Sequence, residues 1–215
     1  MSFRGAGLVV VAAALLAASS ATGQHGTVLR SEIAESPTPA ELTARAEALT
    51  QRIEEDPDNV ELRIELGNLY FENHIYDEAL ATYLKAVEVD PAHVGLRMNL
   101  GALYTDMRRE SEAVAQYEKA IELDPGNAMV YANLGSTYYA TSRYQQAVDA
   151  YLKALSIDQE NVEAHFNLGV AFADAMIFDE AIREWERVIE LAPESEAAAM
   201  CRGNIQMIRE MIGKP

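Results

Sequence analysis

The stretch Asn99-Leu100-Gly101-Ala102-Leu103-Tyr104, NLGALY, decides the fold. Close copies read ELGNLY at 65–70, NLGSTY at 133–138 and NLGVAF at 167–172. Their glycines stand at 67, 101, 135 and 169, always 34 residues apart. Other positions keep the same period without a gap. Ala79, Ala113, Ala147 and Ala181 follow their glycines, then Tyr83, Tyr117, Tyr151 and Trp185. Ala86, Ala120, Ala154 and Val188 come next. Pro91, Pro125 and Pro193 close three copies, and Gln159 closes the third.

Each copy holds two apolar patterns of helical period, separated by a polar turn: ENHIYDE, DMRRESE, ATSRYQQ or DAMIFDE. Glycine inside a helix costs about 1 kcal/mol relative to alanine. Its regular return means that something gains from the missing side chain. The gain expected is close approach of the second helix, with the Ala79-type residue keeping the crossing tight. Leu66, Leu100, Leu134 and Leu168 and the recurring aromatics fill the space between helices, each burial contributing roughly 1.5–3 kcal/mol. The links DPDN, DPAH, DPGN, DQEN and APES stop each second helix, and Asn59, Asn127, Asn161 and Ser195 can cap the next one.

This 34-residue pattern resembles the tetratricopeptide repeat over about 59–193. The resemblance implies an all-α, right-handed superhelical solenoid of helix pairs, with repeats at 60–93, 94–127, 128–161 and 162–195. One place departs from the family. Where it has a large aromatic, this chain has Arg63, Arg97, Tyr131 and His165. The arginine stems can lie on the neighbouring repeat, with looser packing expected there. Residues 40–57 read as a capping helix that supplies only the second half of a repeat. Residues 196–215 read as a cap supplying only the first half, with Gly203 in register and Arg202, Asn204, Gln206, Arg209 and Glu210 for a wet face.

Export is expected. Arg4 is followed by the uncharged run Gly5 to Ala18 and then by SSATG, the order of a secretory signal. Residues 1–23 read as a cleaved signal peptide or, alternatively, as an N-terminal anchor, and 24–39 as a linker. No Cys closes the apolar run and no Arg-Arg pair precedes it, which disfavours lipoprotein and twin-arginine export. The destination read from this is the bacterial periplasm or the exterior, with membrane attachment only through an uncleaved N-terminus.

Lys and Arg number 17 against 34 Asp and Glu, a net charge of -17. Such a chain repels phosphates, which argues against nucleic acid as a partner. Nothing catalytic assembles. His25, His74, His93 and His165 are scattered, and no HExxH, CxxC or phosphate loop occurs. No enzyme activity, cofactor, metal or small-molecule substrate is expected.

The repeat resemblance leaves a face of each first helix over, lining a concave groove. Its places supply Glu61, Glu65, Glu72, Asp106, Glu163 and Asp174 but no cation. Asn99, Asn133 and Asn167 fall in register, with Asn68 nearby, and an amide ladder of this kind can pair with the backbone of a bound peptide. The alternative is that Asn is simply common at that place. Phe71, Met98, Met129, Tyr139 and Phe166 read as apolar anchors beside the ladder. Ile64, Met129 and Asn133 stand where a carboxylate clamp would need cations, so no such clamp is expected. The reading is a non-enzymatic scaffold for a neutral or basic peptide or helix, plausibly in cell-envelope assembly. The alternative is a self-associating array, joined through Cys201, the one cysteine, or through its ends.

Overall fold

The computed structural model describes residues 37–213, and these form ten α-helices and no strand. The signal or anchor segment and most of the linker, 1–36, lie outside the described residues. The chain divides between Arg109 and Glu110 into two compact units. The first holds α1 (Pro39–Glu55), α2 (Val60–Glu72), α3 (Tyr76–Val89) and α4 (Val94–Asp106). The second holds α5 (Glu110–Leu123), α6 (Ala128–Ala140), α7 (Tyr144–Ile157), α8 (Val162–Asp174), α9 (Phe178–Leu191) and α10 (Glu196–Met211). Within each unit every helix packs on the next, and the first helices also touch one another, α2 on α4 and α6 on α8.

The links act through specific side chains. Asn59, Asn127, Asn161 and Ser195 each accept a backbone N–H of the helix that follows. The second copy has no Asn or Ser there, and His93 Nδ1 accepts from the Leu96 N–H at 3.0 Å instead. Thr38 and Glu41 form a reciprocal capping box at the start of α1. Caps of this type contribute about 1 kcal/mol each.

The turn inside each repeat is closed by a residue in the left-handed region. His74, Arg108, Ser142 and Met176 have φ of 59, 59, 63 and 60°. The next residue's N–H then reaches back to the last turn of the first helix, as from Ile75 to Tyr70 O and from Arg143 to Tyr138 O. None of the four is glycine, so nothing in the residue types marks this position. Each costs about 1–2 kcal/mol of backbone strain, offset by the two carbonyls satisfied.

The recurring glycines turn out to admit a ring and not a helix backbone. A Cβ at Gly135 would lie 2.6 Å from Tyr151 Cε1, and one at Gly169 would lie 2.5 Å from Trp185 Nε1. Gly67 faces Tyr83 in the same way. The ring, sixteen residues on, is no more than 3% exposed in any copy. Ala79, Ala113, Ala147 and Ala181 are fully buried beside it.

Arg63, Arg97, Tyr131 and His165 do more than pack loosely. Each donates to the carbonyl six residues back, in the link just before its helix. Arg63 and Arg97 bond Pro57 O and Pro91 O, Tyr131 reaches Pro125 O at 3.5 Å, and His165 Nε2 reaches Gln159 O at 3.0 Å. The side chain fastens link to helix. All four residue types carry a donor at the end of a long or planar side chain, which was the signal available in the sequence.

Candidate functional site

The Asn ladder is largely tied into the fold. In the first unit, Asn68 Oδ1 accepts from Tyr83 OH at 2.5 Å and from Asn99 Nδ2 at 3.0 Å. Burial pushes the Tyr83 phenol well above its usual pKa, with Glu72 adding to the rise and Asn99 working against it. In the second unit, Ser136 Oγ takes the place of Asn68. It accepts from Tyr151 OH at 3.3 Å and from Asn167 Nδ2 at 3.2 Å. Asn99 and Asn167 therefore join first helix to first helix. Asn133 differs: its side-chain amide has no hydrogen-bond partner among the described residues, and only its backbone carbonyl is engaged, by Thr137 Oγ1.

The anchors also divide. Phe71 is 8% exposed and packs on Tyr76, with ring centroids 6.1 Å apart. Phe166 is 5% exposed and gives its carbonyl to the Trp185 N–H at 3.1 Å. Neither presents a surface to a partner, because each fills space inside its own unit. Met98 is half-buried and Met129 exposed. Tyr139 is half-buried, donates its hydroxyl to Asp174 Oδ2 and meets Tyr144 edge-on at 5.5 Å. Burial first, then Asp174, drives the Tyr139 phenol far above its ordinary range, so it stays a donor.

The groove places bring no cation themselves, but neighbours do. Arg52 of α1 approaches Glu65 at 3.7 Å, and both are well exposed, so the pair contributes little. Asp106 is half-buried. Burial raises its pKa, while His74 and Arg108 pull the other way without cancelling the rise. In the second unit Asp174 is exposed and Tyr139 is its hydrogen-bond partner. Among the described residues no group of His, Cys, Asp or Glu could hold a metal ion. None of the described helices is long and apolar enough to cross a membrane.

Cys201 is fully buried in α10, and burial pushes its thiol up to about 12 against a smaller opposing pull from Arg202. A thiol with no exposed sulfur and almost no thiolate at neutral pH reacts poorly in the folded chain. The packing of Cys201 weighs against the alternative reading of an array joined through it.

Comparison with known proteins agrees with this architecture. A TPR repeat family matches residues 111–142 and 135–175, and two tetratricopeptide repeat families match 42–94 and 95–123. Together they span more than half of the chain, which belongs to the tetratricopeptide repeat family. Its fold is that of solved tetratricopeptide solenoids. The crystal structure of MamA is 24% identical with a TM-score of 0.61, over 72% of this chain and 91% of that one. TTC0263, a thermophilic TPR protein of Thermus thermophilus, is 17% identical with a TM-score of 0.68, over 78% and 92%. YrrB, described as a TPR protein with an unusual peptide-binding site, is 26% identical with a TM-score of 0.54, over 75% and 85%. No curated protein matches the sequence. Chains of this family serve as protein–protein interaction scaffolds and are generally not enzymes.

Proposed function

We propose that this scaffold captures a neutral or basic peptide or helix of another exported protein on the groove side of its first helices. The observation that carries the reading is Asn133. The fold uses the amides of Asn68, Asn99 and Asn167, and leaves that of Asn133 with both a donor and an acceptor to offer. Met129 lies exposed one helical turn before it. Tyr139 and Asp174 stand joined on the first helices α6 and α8 of the same unit. An amide with an apolar side chain one turn before it, and a carboxylate held by Tyr139 further along the same helix, fit peptide backbone and a cationic residue better than an acidic ligand. The description of YrrB as a peptide binder supports the same class of ligand. The N-terminal sequence supports export, and cell-envelope assembly is the setting this implies.

Affinity capture from a cell-envelope extract tests the reading, with wild-type chain and Asn133→Ala compared at equal helicity. A specific partner that is held by wild type and lost on Asn133→Ala is the expected result. The same partner retained equally by both would refute a role for the amide. Asn99 and Asn167 are poorer probes, because their removal also loosens helix packing.

A further inference from the structure

In the repeats whose two helices lie within one unit, the glycine and the residue after it form a seat for a ring. Tyr83 lies on Gly67 with its hydroxyl on Asn68, and Tyr151 lies on Gly135 with its hydroxyl on Ser136. Trp185 lies on Gly169, where the next residue is Val170, and its N–H goes to a backbone carbonyl instead. In these two repeats a polar residue after the glycine receives the tyrosine hydroxyl, whereas in the second copy Ala102 follows Gly101 and the ring in register is still Tyr117.

Helix α10 carries the same seat and no ring. Gly203 stands 34 residues after Gly169, and a Cβ there would meet nothing within 4 Å. A glycine inside a helix costs about 1 kcal/mol, and here no described contact needs it. Asn204 falls in the register of Asn68 and Ser136. Its Nδ2 is buried without a hydrogen-bond partner, alone in this among the side-chain atoms of the described residues. Such a group costs about 1–3 kcal/mol until something bonds it. On the same face as Gly203, α10 exposes Met207 one turn on and Met211 a turn further, with Gln206 and Glu210 at their edge.

We infer that this end of the second unit docks the amphipathic helix of a partner protein through a tyrosine, with a small residue four before it and another three after. That is the pattern Ala147, Tyr151 and Ala154 make in α7. The docked helix would complete α10 as the second helix completes each repeat. It is amphipathic because Met207 and Met211 beside Gly203 are apolar and exposed, and Gln206 and Glu210 at their edge are polar. A second copy of this chain does not supply it. Tyr83 and Tyr151 and their flanking alanines are buried in their own repeats. In α1, the half-repeat helix, the same places hold Arg45, Leu49 and Arg52, and two arginines cannot enter where alanines belong. This surface is separate from the Asn133 groove.

The probe is a fluorescent peptide of residues 144–157, stapled on its outer face to hold it helical, titrated onto the full chain. Saturable binding is expected, weakened at least about tenfold by Tyr151→Ala in the peptide or by Gly203→Leu in the chain, as for loss of a seated aromatic anchor. Gly203 is exposed, so Gly203→Leu keeps its helicity, and the peptide variant tests the ring without altering the chain. Asn133→Ala leaves this binding unchanged. No binding overturns the inference, as does binding indifferent to Tyr151→Ala and Gly203→Leu, or binding lost on Asn133→Ala. A chain that sediments as a dimer, broken up by Gly203→Leu, shows a second copy in the seat and overturns the choice of partner.

Discussion

Two glycine-to-alanine changes in the same register should act with opposite sign. At Gly135 the new methyl would sit 2.6 Å from Tyr151 Cε1 and 2.7 Å from Cδ1. Favourable carbon–carbon contact needs about 3.5–4.0 Å, so the ring must retreat by about 1 Å. Tyr151 is 1% exposed, packed against Ala147 and Leu168, and has nowhere to go. Overpacking of this kind costs about 1–3 kcal/mol, and the hydroxyl's bond to Ser136 is strained as well. The helix-propensity gain of about 1 kcal/mol offsets part of it, leaving Gly135→Ala less stable by up to about 2 kcal/mol. Gly203→Ala meets no atom within 4 Å and keeps the whole gain. At about 2–4 °C per kcal/mol for a chain of this size, Gly135→Ala should melt as much as about 8 °C lower and Gly203→Ala about 2–4 °C higher. Circular dichroism of the full chain follows the helices, and Trp185, the one tryptophan, reports on the second unit. A stabilised Gly135→Ala, or a destabilised Gly203→Ala, would refute the ring-seat account of the repeat.

Further outcomes follow from the same contacts. His165 donates to Gln159 O and pairs with Glu184 at 2.6 Å; desolvation lowers its pKa, but these two partners overcome it and the net shift is upward from 6.5. The charged ring therefore stabilises the fold fully below pH 6.5 and progressively less as the pH rises through the folded pKa. The melting difference between wild type and His165→Gln should accordingly be larger at about pH 5.5 than at about pH 8.5, and a difference that grows toward the alkaline end would be wrong for this pairing. Cys201 should resist a thiol reagent at about pH 8 in the folded chain and react at once in denaturant, with no effect of reductant on sedimentation. Ser142 has φ of 63° and is exposed, so Ser142→Gly should relieve about 1–2 kcal/mol of strain against about 0.4–1 kcal/mol of unfolded-state entropy. Urea unfolding should show a small net gain.

The period of 34 made the fold readable, because glycine, alanine and ring recur without a gap and only a stack of helix pairs uses them all. What glycine is for was not readable, since spacing along the chain does not say whether a backbone or a ring fills the space. The left-handed residues were invisible for a plainer reason. His74, Arg108, Ser142 and Met176 share no chemistry, and the strain is imposed by the turn. The candidate site was legible as a register and not as a set of free groups. Asn68, Asn99, Asn133 and Asn167 look alike in sequence. Whether an amide is free depends on what the neighbouring repeat places opposite it. Asn68 and Ser136 receive Asn99 and Asn167, and no described side chain receives Asn133. Phe71 and Phe166 read as anchors because an aromatic residue on the leftover face looks exposed until its own packing is seen.

The central claim is that the groove binds a neutral or basic peptide through Asn133. Panning a displayed library of random peptides against the full chain, with winners titrated onto wild type and Asn133→Ala, tests it most directly. The account predicts enriched peptides of neutral or positive charge whose affinity falls about tenfold or more on Asn133→Ala and is untouched by Gly203→Leu. Enrichment of acidic peptides, or winners that bind Asn133→Ala as tightly as wild type, would contradict it.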